Sequence, residues 1–341
     1  MGPTSDETDQ KQSDGSTIRD LTLTETDPRF DPSEMIDCEK CSRANPPDRT
    51  ACLYCGQPFA SSLIRSDIAK VNYKQPESWE SGYSLIFSGK VAPTDESIAA
   101  AADLLKIDEE MLQKLLAVKA SVPLIYLRSL TDANVLASQL SQKGFDCAIA
   151  GDDLLQAATP PTRVRSIIFE RDEVLLQDFN TERFPPVAIN DPVLIVTGSL
   201  IKTSSEVKGK ITKRVMKNAE ESLAVSDETV IDLYPPNDFY GFRIRASGFD
   251  FSCLGERKQQ IASANMAVLI DELRARFANA VFVDAFKTAG PLIGEIWPPD
   301  EIRQSSSVTR STLGGVHKQK LTVLDNSVQF TKFSRLQRHI R

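Results

Sequence analysis

Two pairs of cysteines constrain this chain more than any other feature of its sequence. Cys38 and Cys41 form one Cys-x2-Cys pair, Cys52 and Cys55 form another, and ten residues separate the two pairs. Two residues between cysteines let both sulfurs face one ion while backbone amides bond to them. Gly56 follows the second pair, at a point where such a turn often needs a positive φ. The sequence therefore predicts one structural zinc ion, bound by all four thiolates.

Other interpretations of the four cysteines remain open at this stage. They could be unrelated residues or form two disulfides, although disulfides are rare in the cytoplasmic proteins that this chain resembles in composition. Iron also binds four thiolates, and only colour separates it from zinc. The remaining cysteines, Cys147 and Cys253, lie in apolar runs typical of strands, which predicts buried thiols.

The cysteine segment resembles two known families. The string Cys-x2-Cys-x3-Asn-Pro-Pro-Asp-x3-Cys-x2-Cys-Gly-x-Pro-Phe, from Cys38 to Phe59, is similar to short zinc ribbons near the N-termini of bacterial proteins. It also resembles the RNA-binding zinc fingers of Ran-binding nucleoporins and splicing factors, which implies that Asn45 and Arg49 contact guanines. That family has a tryptophan two residues before the first cysteine, on which bases stack, whereas Ile36 stands here. The bacterial ribbon is therefore favoured, and it implies a compact surface for protein contact.

Charge is distributed unevenly along the 341 residues, whose net charge of -7 argues against a general nucleic-acid binder. Residues 1–40 carry eleven acids against four bases, and residues 302–341 carry eight bases against one acid. Residues 1–33 contain few apolar side chains, which predicts a disordered acidic segment. Residues 300–341 are predicted to be a flexible basic tail. A basic amphipathic stretch within it gives three candidate residues for partner or nucleic-acid contact, namely Lys332, Arg335 and Arg338.

The middle of the chain is predicted to contain a ribbon, a connecting segment and a small α/β module. The ribbon covers 34–60, and the connecting segment 61–92 is apolar enough to form a strand or to pack on its neighbour. The module, 93–158, contains strand, helix and strand patterns between Pro123 and Ala150, and Gly144 ends the helix. The run SLTDANVLASQLSQKGFDCAIA within it resembles small bacterial ferredoxin-like modules.

A different pattern, of short strands followed by a helix, covers 163–299. The predicted helix is 257–277, and 202–217 is a polar, basic excursion. The predicted strands are 164–170, 174–179, 187–189, 193–201, 229–234, 242–246 and 249–254. The order of six or seven antiparallel strands and one amphipathic helix resembles a PH-like or GRAM-like domain, with a simpler α+β sandwich as the alternative. The fold class predicted for the whole chain is multi-domain α+β.

No catalytic constellation accompanies these patterns. Both histidines, His317 and His339, lie in the predicted tail, and the chain has no phosphate-binding glycine loop and no Gly-x-Ser-x-Gly elbow. We therefore expect a non-catalytic adaptor with one zinc ion and a protein partner. The alternatives are nucleic-acid binding through the ribbon and tail, and recruitment to anionic membranes through the PH-like domain. Without a signal peptide or a membrane-spanning apolar run, we expect a cytoplasmic location.

Overall fold

The computed structural model describes residues 30–77, 79–89, 91–212, 215–310 and 316–340. Within them the protein is a mixed α/β structure with several sheets, the largest of which curls into a half-barrel. The predicted disordered segment lies outside the described residues up to position 29. After that point the structure differs from the prediction, because Asp31 caps a short 3-10 helix, Pro32–Glu34, by accepting the amide hydrogen of Ser33.

The cysteine-containing unit, which we call the ribbon, is small, and its core extends to Ala69, beyond the predicted end at residue 60. Its two strands, β1 (Ile36–Asp37) and β2 (Ala44–Asn45), pair antiparallel. Its buried apolar side chains are few, and they are Ile36, Cys38, Cys52, Phe59, Ile64 and Ala69. This cluster also includes Val135, a residue of the next unit, so the ribbon packs against its neighbour instead of standing alone.

The next unit is a three-stranded sheet with helices. Its elements are β3 (Tyr83–Phe87), α1 (Asp95–Leu105), α2 (Glu109–Ala117), β4 (Pro123–Leu127), α3 (Leu130–Gln142), β5 (Cys147–Gly151) and α4 (Asp152–Leu155). The predicted strand–helix–strand order is present as β4, α3 and β5. However, β3 lies between the two strands and runs antiparallel to both, so the connecting segment 61–92 contributes the central strand. Gly144, at φ 73°, follows α3 as predicted.

The largest sheet contains nine strands among the described residues. Its elements and the helices around it are β6 (Thr162–Phe169), β7 (Glu173–Asp178), β8 (Pro186–Ala188), β9 (Leu194–Thr212), β10 (Val215–Tyr234), β11 (Phe242–Arg245), α5 (Ala262–Arg276), β12 (Val281–Val283), α6 (Phe286–Leu292), β13 (Asp300–Arg310), β14 (Val316–Asp325) and α7 (Ser327–His339). The strand order is β13-β14-β9-β10-β11-β6-β7-β8, and β12 pairs with β9. β11 and β6 pair in parallel, where the sequence predicts antiparallel strands, and β12, which is not among the predicted strands, also pairs in parallel with β9.

One edge of β9 is shared between two partners. β12 pairs with its first residues, through Val196, and β14 pairs with it from Lys202 onward. In the gap, the Asn326 side chain accepts the amide hydrogen of Ile201 at 2.7 Å and donates to the carbonyl of Ser199 at 3.1 Å. The Asn326 side chain therefore forms the hydrogen bonds to the backbone of β9 that a neighbouring strand would otherwise form.

Two local predictions for this sheet are wrong. Apart from residues 213 and 214, which lie outside the described residues, the basic excursion 202–217 belongs to the antiparallel strands β9 and β10, because β14 pairs with the second edge of β9 in a stretch whose side chains are polar. The strand predicted for 249–254 is mostly a 3-10 helix, Phe251–Arg257, which Asp250 caps by accepting the Ser252 amide hydrogen. Helix α5 accordingly begins after it, later than the predicted start at 257.

The predicted flexible tail from residue 300 is instead β13, β14 and α7. Phe330, Phe333 and Leu336 recur every three residues and are fully buried. Because they form one apolar face, the helix can close the core between the large sheet and the α/β unit. The sequence correctly indicates a helix that packs on a surface through one apolar face. That surface belongs to the same chain and not to a partner.

The two faces of the large sheet form separate cores. On β10, Val230 and Tyr234 face a core that α6 and α7 share with the α/β unit. Ile231 and Leu233 point to the opposite face, which α5 covers with Met266, Leu269 and Leu273. This alternation follows from the two-residue period of a strand, and it places an apolar core on each face of the sheet.

Candidate metal centre

The two cysteine pairs form turns with the same backbone geometry. In the first, the Cys38 amide donates to the carbonyl of Arg43 at 3.0 Å, and the Ser42 amide donates to the carbonyl of Cys38 at 2.7 Å. Ser42 adopts a positive φ of 54°. A non-glycine residue is uncommon in this region, so the turn holds Ser42 there at a local cost.

The second turn repeats the first, residue for residue. The Cys52 amide donates to the carbonyl of Gln57 at 2.9 Å, and the Gly56 amide donates to the carbonyl of Cys52 at 2.9 Å. Gly56 occupies the positive-φ position at 71°, as predicted from its place after the second pair. The two turns therefore present their cysteines in equivalent positions toward a common centre.

The four sulfurs lie close enough to share one ion. All four Sγ atoms lie within 4.8 Å of one another, and Cys38–Cys55 and Cys41–Cys52 are each separated by 3.6 Å between Sγ atoms. In a tetrahedral site with Zn–S bonds of about 2.3 Å, sulfurs are about 3.8 Å apart. The 3.6 Å separations are far longer than a disulfide of about 2.05 Å. Hence the arrangement fits one tetrahedral cation and excludes disulfides between these cysteines in this conformation.

Electrostatics differ between the cysteines. Burial opposes ionisation of Cys52, but the amide hydrogens of Cys55 and Tyr54 stabilise its thiolate and lower its pKa to about 6. The Arg43 amide acts in the same direction on Cys41, yet burial and the neighbouring thiols raise the pKa of Cys41 to about 12. Four thiolates at these separations repel one another, so a divalent cation is needed to keep all of them deprotonated.

Asn45 links the two turns. Its side chain is fully buried, donates to the carbonyl of Arg43 at 2.7 Å and accepts the amide hydrogen of Leu53 at 2.8 Å. Both ends of the amide are therefore occupied by the ribbon itself. The guanine contact implied by the RNA-binding resemblance does not fit this position, because no part of the side chain reaches the surface.

The ribbon is fastened to α3. The Gln139 side chain donates to the carbonyls of Ser66 and Ala69, at 2.8 and 2.9 Å, and the Thr131 hydroxyl donates to the carbonyl of Phe59 at 3.2 Å. Together with the packing of Val135, these bonds cover one side of the ribbon. Both cysteine turns remain exposed, since Lys40 and Arg43 in the first and Leu53 and Tyr54 in the second are accessible to solvent.

The predicted contact residues outside the cysteines are not gathered at one surface. Arg49 is partly exposed, with Nε 3.7 Å from Asp48 Oδ1, while the Arg338 guanidinium donates to the carbonyl of Pro236 at 2.8 Å. The Lys332 ammonium lies 2.7 Å from Asp152 Oδ1. These positions do not form a continuous basic face, because the ribbon and α7 belong to different parts of the fold.

Arg335 departs furthest from the prediction of a contact residue. It is fully buried and donates to the carbonyls of Leu155, Gln156 and Thr159, at 3.0 Å for Leu155 and 2.6 Å for Thr159. Its charge thus meets the C-terminal end of α4, where carbonyls carry partial negative charge. The side chain joins α7 to the α/β unit and is not available to a partner.

Sequence reasoning missed the exposed tip of the second turn. Leu53 and Tyr54 are 54% and 53% exposed, and the Arg43 guanidinium lies 4.7 Å from the centre of the Tyr54 ring. The signal is present in the sequence, since two large side chains between cysteines of a metal turn cannot both enter so small a core. We call Arg43, Leu53 and Tyr54 the ribbon tip.

Comparison with protein-family models, with curated proteins and with solved structures finds no match for this chain. Among the described residues, no helix combines the length and the apolar character needed to cross a membrane. The geometry of the cysteine cluster and of its surroundings is therefore the strongest indication of function in this chain.

Proposed function

We propose that the ribbon binds one structural zinc ion and that the protein is a non-catalytic adaptor that contacts a protein partner through the ribbon tip. The observation that carries the proposal is the closed set of four sulfurs beside an exposed pair of large apolar side chains, Leu53 and Tyr54. A zinc ion with four thiolate ligands keeps no position for water or substrate. Its contribution is therefore to hold the tip rigid.

The metal part of the proposal is tested by elemental analysis of protein purified without added metal. We expect one zinc per chain in a colourless protein, and loss of the metal in Cys52→Ser. The matched control is Cys253→Ser, a cysteine outside the cluster, which should retain full zinc. A coloured protein with one iron per chain would show that the bound metal is iron and not zinc. A metal-free protein with titratable thiols would contradict the proposed metal site.

The interaction part rests on the area and rigidity of the tip. Large side chains with few rotatable bonds, supported by an arginine, are typical of the residues that dominate protein interfaces. Capture of partners by the wild-type protein should be lost in Leu53→Ser/Tyr54→Ser. Leu63→Ser is the control, since Leu63 is also exposed but lies outside the tip. Equal capture by all three proteins would rule out the tip as the contact surface.

A second candidate is binding of single-stranded nucleic acid. The exposed Tyr54 ring, with the Arg43 guanidinium against it, offers a surface on which a base could stack, although Ile36 stands where the related fingers have tryptophan. Fluorescence anisotropy with a labelled single-stranded RNA distinguishes this candidate. It requires affinity that falls steeply with salt and is lost in Tyr54→Ser. Salt-independent or unaltered binding would contradict it.

A further inference from the structure

A cavity of about 630 Å³ lies far along the chain from the ribbon, at the junction of the large sheet and the α/β unit. Its walls are the linker 157–161, strands β6 and β11, the end of β7, Leu200 of β9, and the first turns of α7. Pro160 and Pro161 form part of the linker wall. Small-molecule sites commonly have volumes of about 300–1,000 Å³ and often lie between structural units.

Three arginines line this cavity, and the sheet register brings them together. The parallel pairing of β6 with β11 places Arg163 directly opposite Arg243, and Arg245 follows two residues later on the same face of β11. The intervening Ile244 points into the opposite core. Like charges directly opposite one another destabilise a sheet, so the repulsion between this cross-strand pair must be offset by negative groups nearby.

Two of the arginines are held from behind by carboxylates. Arg243 donates through Nε and Nη2 to the two oxygens of Asp232, at 2.6 and 2.7 Å, and through Nη2 to the Thr331 hydroxyl at 3.1 Å. Arg245 donates through Nε and Nη2 to one oxygen of Glu228. Neither Asp232 nor Glu228 lines the cavity. Among the described residues, no acceptor binds Nη1 of either arginine, so the two guanidiniums are fixed and retain a free edge.

Arg163 has no carboxylate within salt-bridge distance in the described part of the chain. Its Nη2 donates to the carbonyl of Ser247 at 2.7 Å, and its guanidinium lies 4.1 Å from the centre of the Phe179 ring. The one acidic residue in the cavity wall is Asp178, whose Oδ1 already accepts the amide hydrogen of Asn180 at 2.7 Å. Three guanidiniums thus face one carboxylate across the cavity, while Asp232 and Glu228 balance two of them from outside it. The cavity wall therefore offers guanidinium N–H groups, and the carboxylates that balance their charge lie mostly outside it.

We propose that this cavity binds the phosphoryl group of a small soluble phosphomonoester. Guanidiniums form strong, directional bonds to phosphate, and a phosphoryl group has three peripheral oxygens for three arginines, whereas a carboxylate has two. The volume exceeds that of phosphate alone, and the proline and alanine wall of the linker suits an apolar remainder of the ligand. The N-terminus of α7 is not needed, since Asp325 already accepts the Ser327 amide hydrogen. The site is independent of the ribbon and of the adaptor function proposed for it.

Isothermal titration calorimetry of the full-length protein with phenyl phosphate tests the proposal. We expect saturable binding that weakens roughly tenfold or more in Arg163→Gln, because one charge-assisted bond is lost without leaving a carboxylate unpaired. Arg165→Gln is the matched control, an exposed arginine on the same strand that does not line the cavity, and it should bind as the wild type does. A second variant, Glu228→Gln/Arg245→Gln, removes an arginine together with its partner and should also weaken binding.

Several outcomes would overturn the site. These are no binding of phenyl phosphate at millimolar concentration, equal binding by the Arg163 and Arg165 variants, and equal affinity for benzoate. A parallel arm uses vesicles with and without a phosphorylated phosphatidylinositol. Cosedimentation with the phosphorylated vesicles, without binding of phenyl phosphate, would show that the arginines bind a lipid headgroup. It would contradict the proposal of a soluble ligand.

Discussion

The ribbon and the large sheet differ in how much apolar surface they bury to offset the entropy of ordering their residues. The sheet has an apolar core on each face, with eighteen fully or nearly buried side chains on the α5 side alone. The ribbon buries six of its own and shares Val135 with α3. A core of that size does not offset the entropy of ordering roughly forty residues, so on the proposed function a cation bound by the four cysteines supplies the difference. We therefore expect the ribbon to depend on metal binding, whereas the sheet depends on burial.

The largest expected effect is the response to metal removal. A strong chelator should unfold residues 36–59 without unfolding the sheet, because structural zinc contributes about 10–16 kcal/mol to small domains of this kind. Hydrogen exchange resolved by peptide is the measurement. We expect full exchange in the ribbon and unchanged protection in the cores on β9 and β10. Loss of protection in both regions together would show that the two depend on each other.

The next effect comes from the core of the sheet. Phe330 is fully buried on α7, with its ring centre 4.9 Å from that of Phe286. Phe330→Ala should lower the free energy of unfolding of the sheet by about 3–5 kcal/mol. Phe59→Ala in the ribbon is the matched change, and its effect should be confined to the ribbon in urea titrations of the metal-bound protein. A similar midpoint shift of the sheet in both variants would contradict the division between the regions.

Two asparagines allow a closer comparison, because each region uses one to join backbone segments. Asn45 bridges Arg43 and Leu53 in the ribbon, and Asn326 bridges Ser199 and Ile201 in the sheet. Replacing either by alanine removes two hydrogen bonds to partly buried backbone groups, at a cost of about 1–3 kcal/mol.

The readouts should differ between the two alanine variants. Asn45→Ala should weaken zinc retention in competition with a chelator and leave the unfolding of the sheet unchanged. Asn326→Ala should lower the urea midpoint of the sheet and leave zinc affinity unchanged. If both variants altered zinc affinity, or both altered the urea midpoint of the sheet, Asn45 and Asn326 would belong to one cooperative unit.

The smallest effect concerns ion pairs at the surface of the sheet. Arg257 and Arg276 donate to the two oxygens of Glu272, at 2.5 and 2.9 Å, and these bonds lower the pKa of that carboxyl. Since the folded pKa is depressed, the stabilisation is present above the ordinary pKa and is lost as pH falls through the folded value. Glu272→Gln should therefore cost less than about 1 kcal/mol near pH 7 and nothing at strongly acid pH.

A control for that pair comes from the ribbon. Glu34 and Arg65 are both exposed and lie 3.3 Å apart, so Glu34→Gln should be close to neutral for the ribbon at any pH. Urea titrations at several pH values measure both variants. A pH-independent difference between Glu272→Gln and the wild type would contradict the charge explanation.

Local patterns predicted much of this structure. The cysteine spacing predicted the cluster, and apolar runs located most strands of the sheet. The spacing did not predict the burial of Asn45, because spacing reports position along the chain, and the contact role implied for that residue stays a prediction. The parallel contact between β6 and β11, and with it the arginine pair, depends on how distant strands meet. Alternating Arg-x-Arg in both strands (Arg163 and Arg165, Arg243 and Arg245) is the signal that could have drawn attention to it.

The long-range errors share one physical cause. Within the described residues, the polar stretch 202–217 belongs to β9 and β10, and the backbone pairing that fixes these strands is not reported by any side-chain pattern. Helix α7 mixes Phe330 and Phe333 with basic residues, a pattern typical of a helix that binds a surface. Whether that surface lies on a partner or on the same chain depends on faces built from residues far earlier in the sequence.

The position of α7 has a consequence for synthesis on the ribosome. The helix covers the core shared by the α/β unit and one face of the sheet, yet it follows both in the chain. Until residue 339 has emerged, the apolar face around Val230 and Tyr234 lacks the part of its cover that Phe330, Phe333 and Leu336 supply, while the opposite face can already pack on α5. A nascent chain of this protein therefore has a prolonged interval in which one half of its sheet is a target for chaperones and for aggregation.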